Sequence, residues 1–211
     1  YFEEEHRVTS PEYSAVAMDV HTYAYVIPEE GEEEELDSEQ AYQAPLNVRF
    51  EAFSNDLPGV MYTWKIFKID PATGKRETSE TYRYTTQNCE VNFLFSGTYD
   101  VVIEVKVPNS DEMCSYVSET QEFRVILEES FLKLPNAFSP GSSFGSNDVY
   151  KVSYKSLVSF KASVFNRWGN MLYTWTDPDQ GWDGRVNGKY VPTGVYFVIV
   201  EAKGADGRTY K

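Results

Sequence analysis

The sequence predicts an all-β protein made of two tandem β-sandwich domains. Aromatic residues make up 16% of the 211 residues and occur beside many Val and Thr residues, a composition that favours strands over helices. Apolar and polar residues alternate with period two in short segments separated by turn residues, as expected for half-buried strands. The chain length and an apolar content of 41% are sufficient for two hydrophobic cores.

The charge distribution divides the chain into two parts. Residues 1–130 carry 9 Lys and Arg against 27 Asp and Glu, whereas residues 131–211 carry 10 against 6. The overall net charge of −14 therefore combines −18 in the first part with +4 in the second, which predicts a domain boundary at the polar stretch 128–130. No nucleic-acid partner is expected, because the first part repels phosphate and the second lacks a Lys or Arg cluster.

Hydropathy bears on localisation. No apolar run approaches the roughly 18 residues of a membrane-spanning helix, so we expect no membrane span in this chain. The sequence does not open with a signal peptide. If the protein is exported, its leader is expected to lie outside this sequence.

The first domain is predicted to contain six or seven short strands. An acidic loop at residues 28–44, which includes EEGEEEE, is expected to stay solvated because it has little apolar surface to bury. In the strand MYTWKIFKI, Trp64 alternates with Tyr62 and Ile66 and is expected to face the core. The candidate strands are residues 13–27, 45–53, 61–69 and 81–86, a hairpin at 89–107, and 114–127.

The two cysteines, Cys89 and Cys114, are too few for a structural zinc site. Segments 89–95 and 99–107 both alternate with period two, and the turn at 96–97 predicts that they form a hairpin. A hairpin brings the start of its first strand near the end of its second, so the two cysteines are candidates for a disulfide. Two buried free thiols are the alternative.

Three segments of the first domain occur in a recognisable order. They are APLNVRFEA, YTWKI and FSGTYDVVIEV, within residues 43–127 and after the strand at 13–27. In this order they resemble PKD-like and other immunoglobulin-like domains of bacterial surface proteins. The resemblance implies an immunoglobulin-like sandwich that serves as a spacer or a binding module.

The second domain contains four motifs in order: LPNAFSP at 134–140, NDVY at 147–150, FKASVFNRWGNMLY at 160–173 and GWDGRVNGKYVPTGVYFVIVEA at 181–202. Together they resemble the gliding-motility-associated C-terminal domain, the type B sorting domain of type IX secretion, over residues 132–211. The resemblance implies an immunoglobulin-like domain, an extracellular or cell-surface location, and a partner in the export or surface-anchoring machinery. The family-motif residues are Asn166, Arg167, Trp168, Gly169, Gly181, Trp182, Asp183, Gly184, Pro192, Gly194 and Tyr196.

The same motifs have a physical interpretation as turns. The NRWG segment lies between two predicted strands, where Gly169 permits positive φ and the Trp168 indole is expected to fold back over the sheet edge. In GWDG, Asp183 is expected to accept hydrogen bonds from amides of its own turn. The strand at 195–200 is apolar on both faces and is therefore predicted to be central in its sheet.

Few residues support a metal site or a catalytic site in this sequence. Asp177, Asp179 and Asp183 have the spacing of a calcium loop, but Gly188 stands where a bidentate Glu is needed, so a solvated turn is preferred. His6 and His21 lie in no nucleophile or zinc motif. We therefore expect no catalytic residue, no cofactor and no metal. A paired-carboxylate enzyme is an alternative with no motif beyond the three aspartates.

Two functions remain for a non-enzymatic surface protein. In the first, the second domain directs export or attachment and the first domain is a spacer or binding module. In the alternative, the protein is an adhesin for a glycan or protein at the cell surface, and the second domain is only structural. Trp168, Trp175 and Trp182 are the candidate platform for stacking sugars, although we expect them to be packed in the core.

Overall fold

The computed structural model describes residues 18–55, 59–107, 115–117, 122–141 and 147–211. Within these residues the regular structure is strand, and no helix occurs there, so the all-β prediction is confirmed. The first domain contains β1 (Val20–Ile27), β2 (Glu34–Glu35), β3 (Ala41–Tyr42), β4 (Leu46–Ser54), β5 (Met61–Lys68), β6 (Tyr82–Tyr84), β7 (Cys89–Phe93), β8 (Gly97–Lys106), β9 (Ser115–Val117) and β10 (Phe123–Leu127).

These strands form two sheets that share one core. The first has the order β2-β1-β4-β7; the second has the order β3-β10-β8-β5-β6, with β9 also paired to β8. The ring centroids of Phe50 on β4 and Trp64 on β5 are 5.6 Å apart, and those of Phe93 on β7 and Tyr99 on β8 are 5.1 Å apart. Trp64 is fully buried, as predicted. The arrangement is a β-sandwich, because aromatic side chains of both sheets meet between them.

The predicted hairpin at residues 89–107 is wrong. β7 pairs with β4, where Cys89 lies opposite Phe50, whereas β8 pairs with β5, β9 and β10 in the other sheet. Both strands place alternate apolar side chains in the same core from opposite sides, so the residues between them cross from one sheet to the other. Cys89 is buried and has a free thiol, and Cys114 lies outside the described residues. Their disulfide stays a prediction, now without its hairpin argument.

The acidic loop is more ordered than expected. It contains β2 and β3, and it buries Leu36, whose backbone N–H donates a 2.8 Å hydrogen bond to the Ala24 carbonyl. The carboxylates at 32–35 remain exposed, as the charge run predicted. Leu36, the buried Ala44 and the pairing of β2 with β1 and of β3 with β10 hold this segment against the core, so the expectation of a wholly solvated loop is wrong.

The second domain is built around one four-stranded sheet. Its strands are β11 (Phe131–Lys133), β12 (Ser153–Lys155), β13 (Leu157–Phe165), β14 (Met171–Trp175), β15 (Arg185–Val186), β16 (Lys189–Tyr190), β17 (Phe197–Gly204) and β18 (Thr209–Tyr210). The main sheet has the order β14-β13-β17-β18, and the pairs β11-β12 and β15-β16 form small separate sheets. A second buried cluster, which includes Tyr150, Phe160, Trp175, Trp182 and Val200, lies on the inner face of the main sheet.

The junction between the two parts is packed. Ala205, in the turn between β17 and β18, is buried in the core cluster of the first domain, and its carbonyl accepts a 3.1 Å hydrogen bond from the Ser96 N–H. The Ser96 hydroxyl donates to the Glu128 carbonyl at 2.6 Å. Ser130 is also buried, so the predicted polar stretch 128–130 is held by contacts on both sides.

Candidate functional site

The NRWG motif forms the turn between β13 and β14. The Asn166 side-chain oxygen accepts hydrogen bonds of 3.0 Å from the N–H groups of Trp168 and Asn170, and Gly169 has a φ of 81°. The Trp168 side chain is 74% exposed, and the Arg167 guanidinium lies 4.9 Å from its ring centroid. The prediction that Trp168 packs in the core is therefore wrong. The turn projects past the ends of the strands, and the ring contacts its own neighbour instead.

The GWDG motif, in contrast, places its tryptophan in the core. Trp182 is 1% exposed; its indole N–H donates to the Arg185 carbonyl at 3.0 Å, and its ring lies 5.5 Å from Phe138 and 5.6 Å from Tyr196. Asp183 accepts a 3.0 Å hydrogen bond from the Arg185 N–H, as expected for a turn aspartate. Core packing is thus confirmed for Trp182.

The two glycines of GWDG are required for close packing. A Cβ at Gly181 would lie 2.6 Å from the Tyr150 carbonyl oxygen, and a Cβ at Gly184 would lie 2.8 Å from Pro140. Gly184 also has a φ of 76°, which disfavours other residues. The motif is therefore a turn pressed against the segments that precede it in the chain.

A cavity of about 520 Å³ opens beside Trp182. Segment 136–140 forms one wall, and segment 190–196 forms the other. The Tyr196 hydroxyl donates to the Pro192 carbonyl at 2.7 Å, which fixes the turn before β17, and Gly194 also lines the cavity. Two motifs that are distant in sequence, LPNAFSP and the segment 181–202, therefore meet at one aromatic-lined cavity. Periodicity alone does not reveal this convergence.

The outer face of the main sheet carries a cluster of exposed apolar side chains at one end. Phe165 on β13 lies opposite Met171 on one side and Phe197 on the other. Met171 and Phe197 are more than half exposed, as are Ile199 and the preceding Val195. With Trp168 in the adjacent turn, they form what we call the apolar end. It consists of Phe165, Trp168, Met171, Val195, Phe197 and Ile199.

The predicted central position of the strand at 195–200 is confirmed, because β17 lies between β13 and β18 in the main sheet, but the cover of both its faces is not. β17 pairs with β13 along its length but with β18 only at Ala202 and Lys203. Its inner-face residue Val200 is buried, while Phe197 and Ile199 face solvent. The strand is thus apolar on both faces, as the sequence indicates, but only one face is covered. Contiguous exposed apolar surface of this kind commonly marks an interaction site.

The carboxylates with calcium-loop spacing make separate contacts. Asp177 accepts a 2.9 Å hydrogen bond from the Asp179 N–H, and Asp179 accepts one of 2.8 Å from the Tyr154 hydroxyl. Burial, followed by this hydrogen bond to Asp179, raises the pKa of Tyr154 to about 12. In the part of the chain that the structure describes, no group of three or more His, Cys, Asp or Glu is arranged to hold a metal ion.

The remaining candidates for chemistry lie apart from these motifs. His21 is on β1, with its ring 3.3 Å from Asp19, and both side chains are exposed. His6 lies outside the described residues. Trp175, the third tryptophan of the candidate platform, is buried beside Phe160. The three tryptophans therefore do not form a shared exposed surface. The described residues also contain no helix long and apolar enough to cross a membrane.

The comparison with protein families bears directly on the domain that holds these motifs. Residues 132–211 match the CHU_C type IX secretion signal domain. The match confirms the resemblance inferred from the motif order, and residues 132–211 are called the signal domain below. It supports a secreted or cell-surface protein that carries a sorting signal. The match does not extend to the first domain, whose immunoglobulin-like resemblance stays a prediction. No curated protein and no solved structure matches this chain.

Proposed function

We propose that this is a non-enzymatic exported protein whose signal domain is recognised by the type IX export machinery through its apolar end, while the first domain acts as a spacer or binding module outside the cell. The observation that carries the proposal is that five apolar side chains, each more than half exposed, lie together at one end of the domain that matches the family: Trp168, Met171, Val195, Phe197 and Ile199.

The composition of the apolar end supports a protein partner. Tryptophan, phenylalanine and methionine are enriched where protein surfaces meet, and a few large side chains usually dominate the binding free energy. Arg167 adds a cation beside the Trp168 ring, and arginine is also frequent at such contacts. Recognition through this surface requires shape complementarity and apolar contact, and it needs no reactive group.

Export of the full chain with its own leader from a bacterium that has type IX secretion tests the proposal. Removal of residues 132–211 is expected to retain the protein inside the cell. A double variant Trp168→Ala, Phe197→Ser is expected to reduce the exported fraction, because it removes apolar contact while leaving the core intact. Val158→Ser is the matched control, since Val158 is exposed at the other end of β13.

Two outcomes separate the sorting role of the signal domain from the role of the apolar end as its recognition surface. Export that persists without residues 132–211 would contradict the sorting role. Loss of export on deletion, together with normal export of the double variant, would retain the sorting role and reject the apolar end as its recognition surface. The purified substitution variants must melt within a few degrees of the parent, so that a loss of export is not caused by unfolding.

The alternative function is an adhesin in which the C-terminal domain is only structural. The family match argues against a purely structural signal domain, but a binding role for the first domain is compatible with export. Both functions can therefore hold for one protein, in which the signal domain directs export to the surface and the first domain is the binding module.

A further inference from the structure

The outer face of the β2-β1-β4-β7 sheet carries aromatic and charged side chains in register. Tyr23 lies opposite Glu51, Tyr25 lies opposite Arg49, and Phe53 lies opposite His21. The residues between them, such as Ala24, Phe50 and Ala52, are buried, which directs the intervening side chains away from the core. We call Tyr23, Tyr25, Arg49, Glu51 and Phe53 the tyrosine face.

The three aromatic rings are adjacent and accessible. The rings of Tyr23 and Tyr25 are 6.5 Å apart and inclined by only 17°, and the Phe53 ring meets Tyr23 edge-on at 5.9 Å. Tyr23 is 43% exposed and Phe53 is 46% exposed. Tyr23 stacks on Tyr25 and meets Phe53 edge-on, so the three rings form one contiguous aromatic platform in which Tyr23 and Phe53 stay open to a ligand.

A positioned guanidinium lies beside the platform. Arg49 donates to Glu33 at 2.7 Å and to Glu51 at 2.9 Å, and its guanidinium carbon is 5.5 Å from the Tyr25 ring centroid. Hydrogen bonding to Glu33, opposed by burial, raises the pKa of Arg49. The clamp between two carboxylates and an aromatic ring fixes the orientation of these polar groups, which lowers the entropic cost of binding a ligand.

Polar side chains continue across the next strand of the same sheet. Glu90 on β7 lies opposite Arg49, and Asn92 lies opposite Asn47. All three of Glu90, Asn92 and Asn47 are exposed. Carboxylate oxygens accept hydrogen bonds from hydroxyl groups, and asparagine amides both donate and accept. The face therefore combines apolar rings at one side with hydroxyl-binding groups at the other.

The charges on the face decide the class of ligand. Glu33, Glu51 and Glu90 surround one cation, and the whole of residues 1–130 carries a charge of −18. Such a field repels sulfated, phosphorylated and uronic-acid ligands. A neutral pyranose is complementary to both the aromatic rings and the polar side chains of this face. Its C–H face stacks on aromatic rings, and its hydroxyl groups form hydrogen bonds with carboxylates and amides. We infer that the tyrosine face binds a neutral oligosaccharide.

Affinity electrophoresis of the full chain tests the inference. Native gels that contain laminarin, galactomannan or xyloglucan are compared with gels that contain alginate and with gels that contain no polysaccharide. At least one neutral polysaccharide is expected to retard the protein, and alginate is not. Tyr23→Ala and Phe53→Ala are each expected to raise the dissociation constant about tenfold, as the loss of one stacked aromatic contact does.

Controls separate stacking from folding. Tyr23→Phe keeps the ring and is expected to bind like the parent. Phe95→Ala is also expected to bind like the parent, because it removes an aromatic residue that is at least as exposed but lies between β7 and β8, outside this face. Absence of retardation in all three neutral gels, stronger retention by alginate, or unchanged binding by both alanine variants would overturn the inference. Since the tyrosine face lies outside the signal domain, Tyr23→Ala is expected to be exported normally, so failure here is distinguishable from failure of the proposed function.

Discussion

The backbone N–H of Ala44 in the first domain donates a hydrogen bond of 3.1 Å to the side-chain oxygen of Ser156 in the signal domain. Ser156 is buried and has a φ of 47°, and its carbonyl accepts a 2.8 Å hydrogen bond from Ala205. A positive φ is uncommon for serine and is retained only where surrounding contacts favour it. One residue therefore contributes to the packing of the junction on both of its sides.

Replacement of Ser156 by alanine is expected to lower the free energy of unfolding by about 1–3 kcal/mol, because the buried Ala44 N–H loses its acceptor. Urea denaturation of the full chain measures the change. Ser159→Ala, at an exposed position on β13, is the control and should change stability by less than about 0.5 kcal/mol. Equal stability of the two variants would show that this hydrogen bond does not stabilise the junction.

Asp206 gives the junction a dependence on pH. Its carboxylate accepts hydrogen bonds from the Ser130 N–H at 2.9 Å, from the Ser130 hydroxyl at 2.8 Å and from the Arg208 N–H at 3.0 Å. Burial opposes ionisation, but the hydrogen bonds from Arg208 and Ser130 outweigh it and lower the pKa of Asp206. A lowered folded-state pKa stabilises the protein above the unfolded value of about 3.9, and this stabilisation is lost as the pH falls through the folded-state pKa.

Asp206→Asn is therefore expected to cost about 1–3 kcal/mol at neutral pH, where it removes a charge-assisted acceptor. The stability difference between parent and variant should shrink as the pH falls below about 3.9, since the parent carboxyl becomes protonated. Thermal melts from pH 7 to pH 3 measure this trend. A difference that stays constant over that range would contradict an ionised Asp206 as the stabilising species.

The sequence predicted the strands of this protein better than their pairing. Period-two alternation is a local signal, so β4, β5, β7 and β8 were all located from it. Alternation does not identify the partner of a strand, because strands in opposite sheets of a sandwich both place every second side chain in the same core. That is why β7 and β8 were expected to pair with each other.

The candidate sites depended on long-range contacts in the same way. Trp168 and Trp182 both stand beside glycine in the sequence, yet only Trp182 meets Phe138 and Tyr196, which approach from distant segments. The tyrosine face likewise requires the register between β1 and β4, which the alternation of neither strand contains. The identity of the signal domain did not depend on such contacts, because the order of its motifs in the sequence was sufficient to recognise it.

Two glycines with similar backbone conformation are expected to tolerate alanine differently. Gly169 and Gly184 have φ values of 81° and 76°, so either substitution should cost about 1–2 kcal/mol from the backbone alone. A Cβ at Gly169 meets open space, whereas one at Gly184 would lie 2.8 Å from Pro140. Gly184→Ala should therefore cost a further 1–3 kcal/mol or so from crowding. Equal losses in urea denaturation would show that Pro140 moves away easily.

The disulfide between Cys89 and Cys114 is tested by peptide mapping of protein purified without reductant. The sequence predicts a linked peptide pair, whose closed loop would contribute roughly 3 kcal/mol to stability, whereas Cys89 has a free thiol in the structure. Resistance to alkylation is not diagnostic, because burial raises the pKa of the Cys89 thiol to about 12 and would make a free thiol unreactive at neutral pH. Two unlinked cysteine peptides would reject the disulfide.

The two motif tryptophans are expected to respond oppositely to substitution. Trp182→Ala should lower the unfolding free energy of the signal domain by about 3–5 kcal/mol, because neighbours such as Phe138 cannot fill the space left by a buried indole. Trp168→Ala should cost less than about 1 kcal/mol, since it removes only an exposed contact with Arg167. Iodide quenching provides an independent measurement, because Trp64, Trp175 and Trp182 are buried and Trp168 is not. Trp168→Phe should abolish the quenchable component of the fluorescence, and a quenchable component that survives this substitution would show that a second indole is exposed.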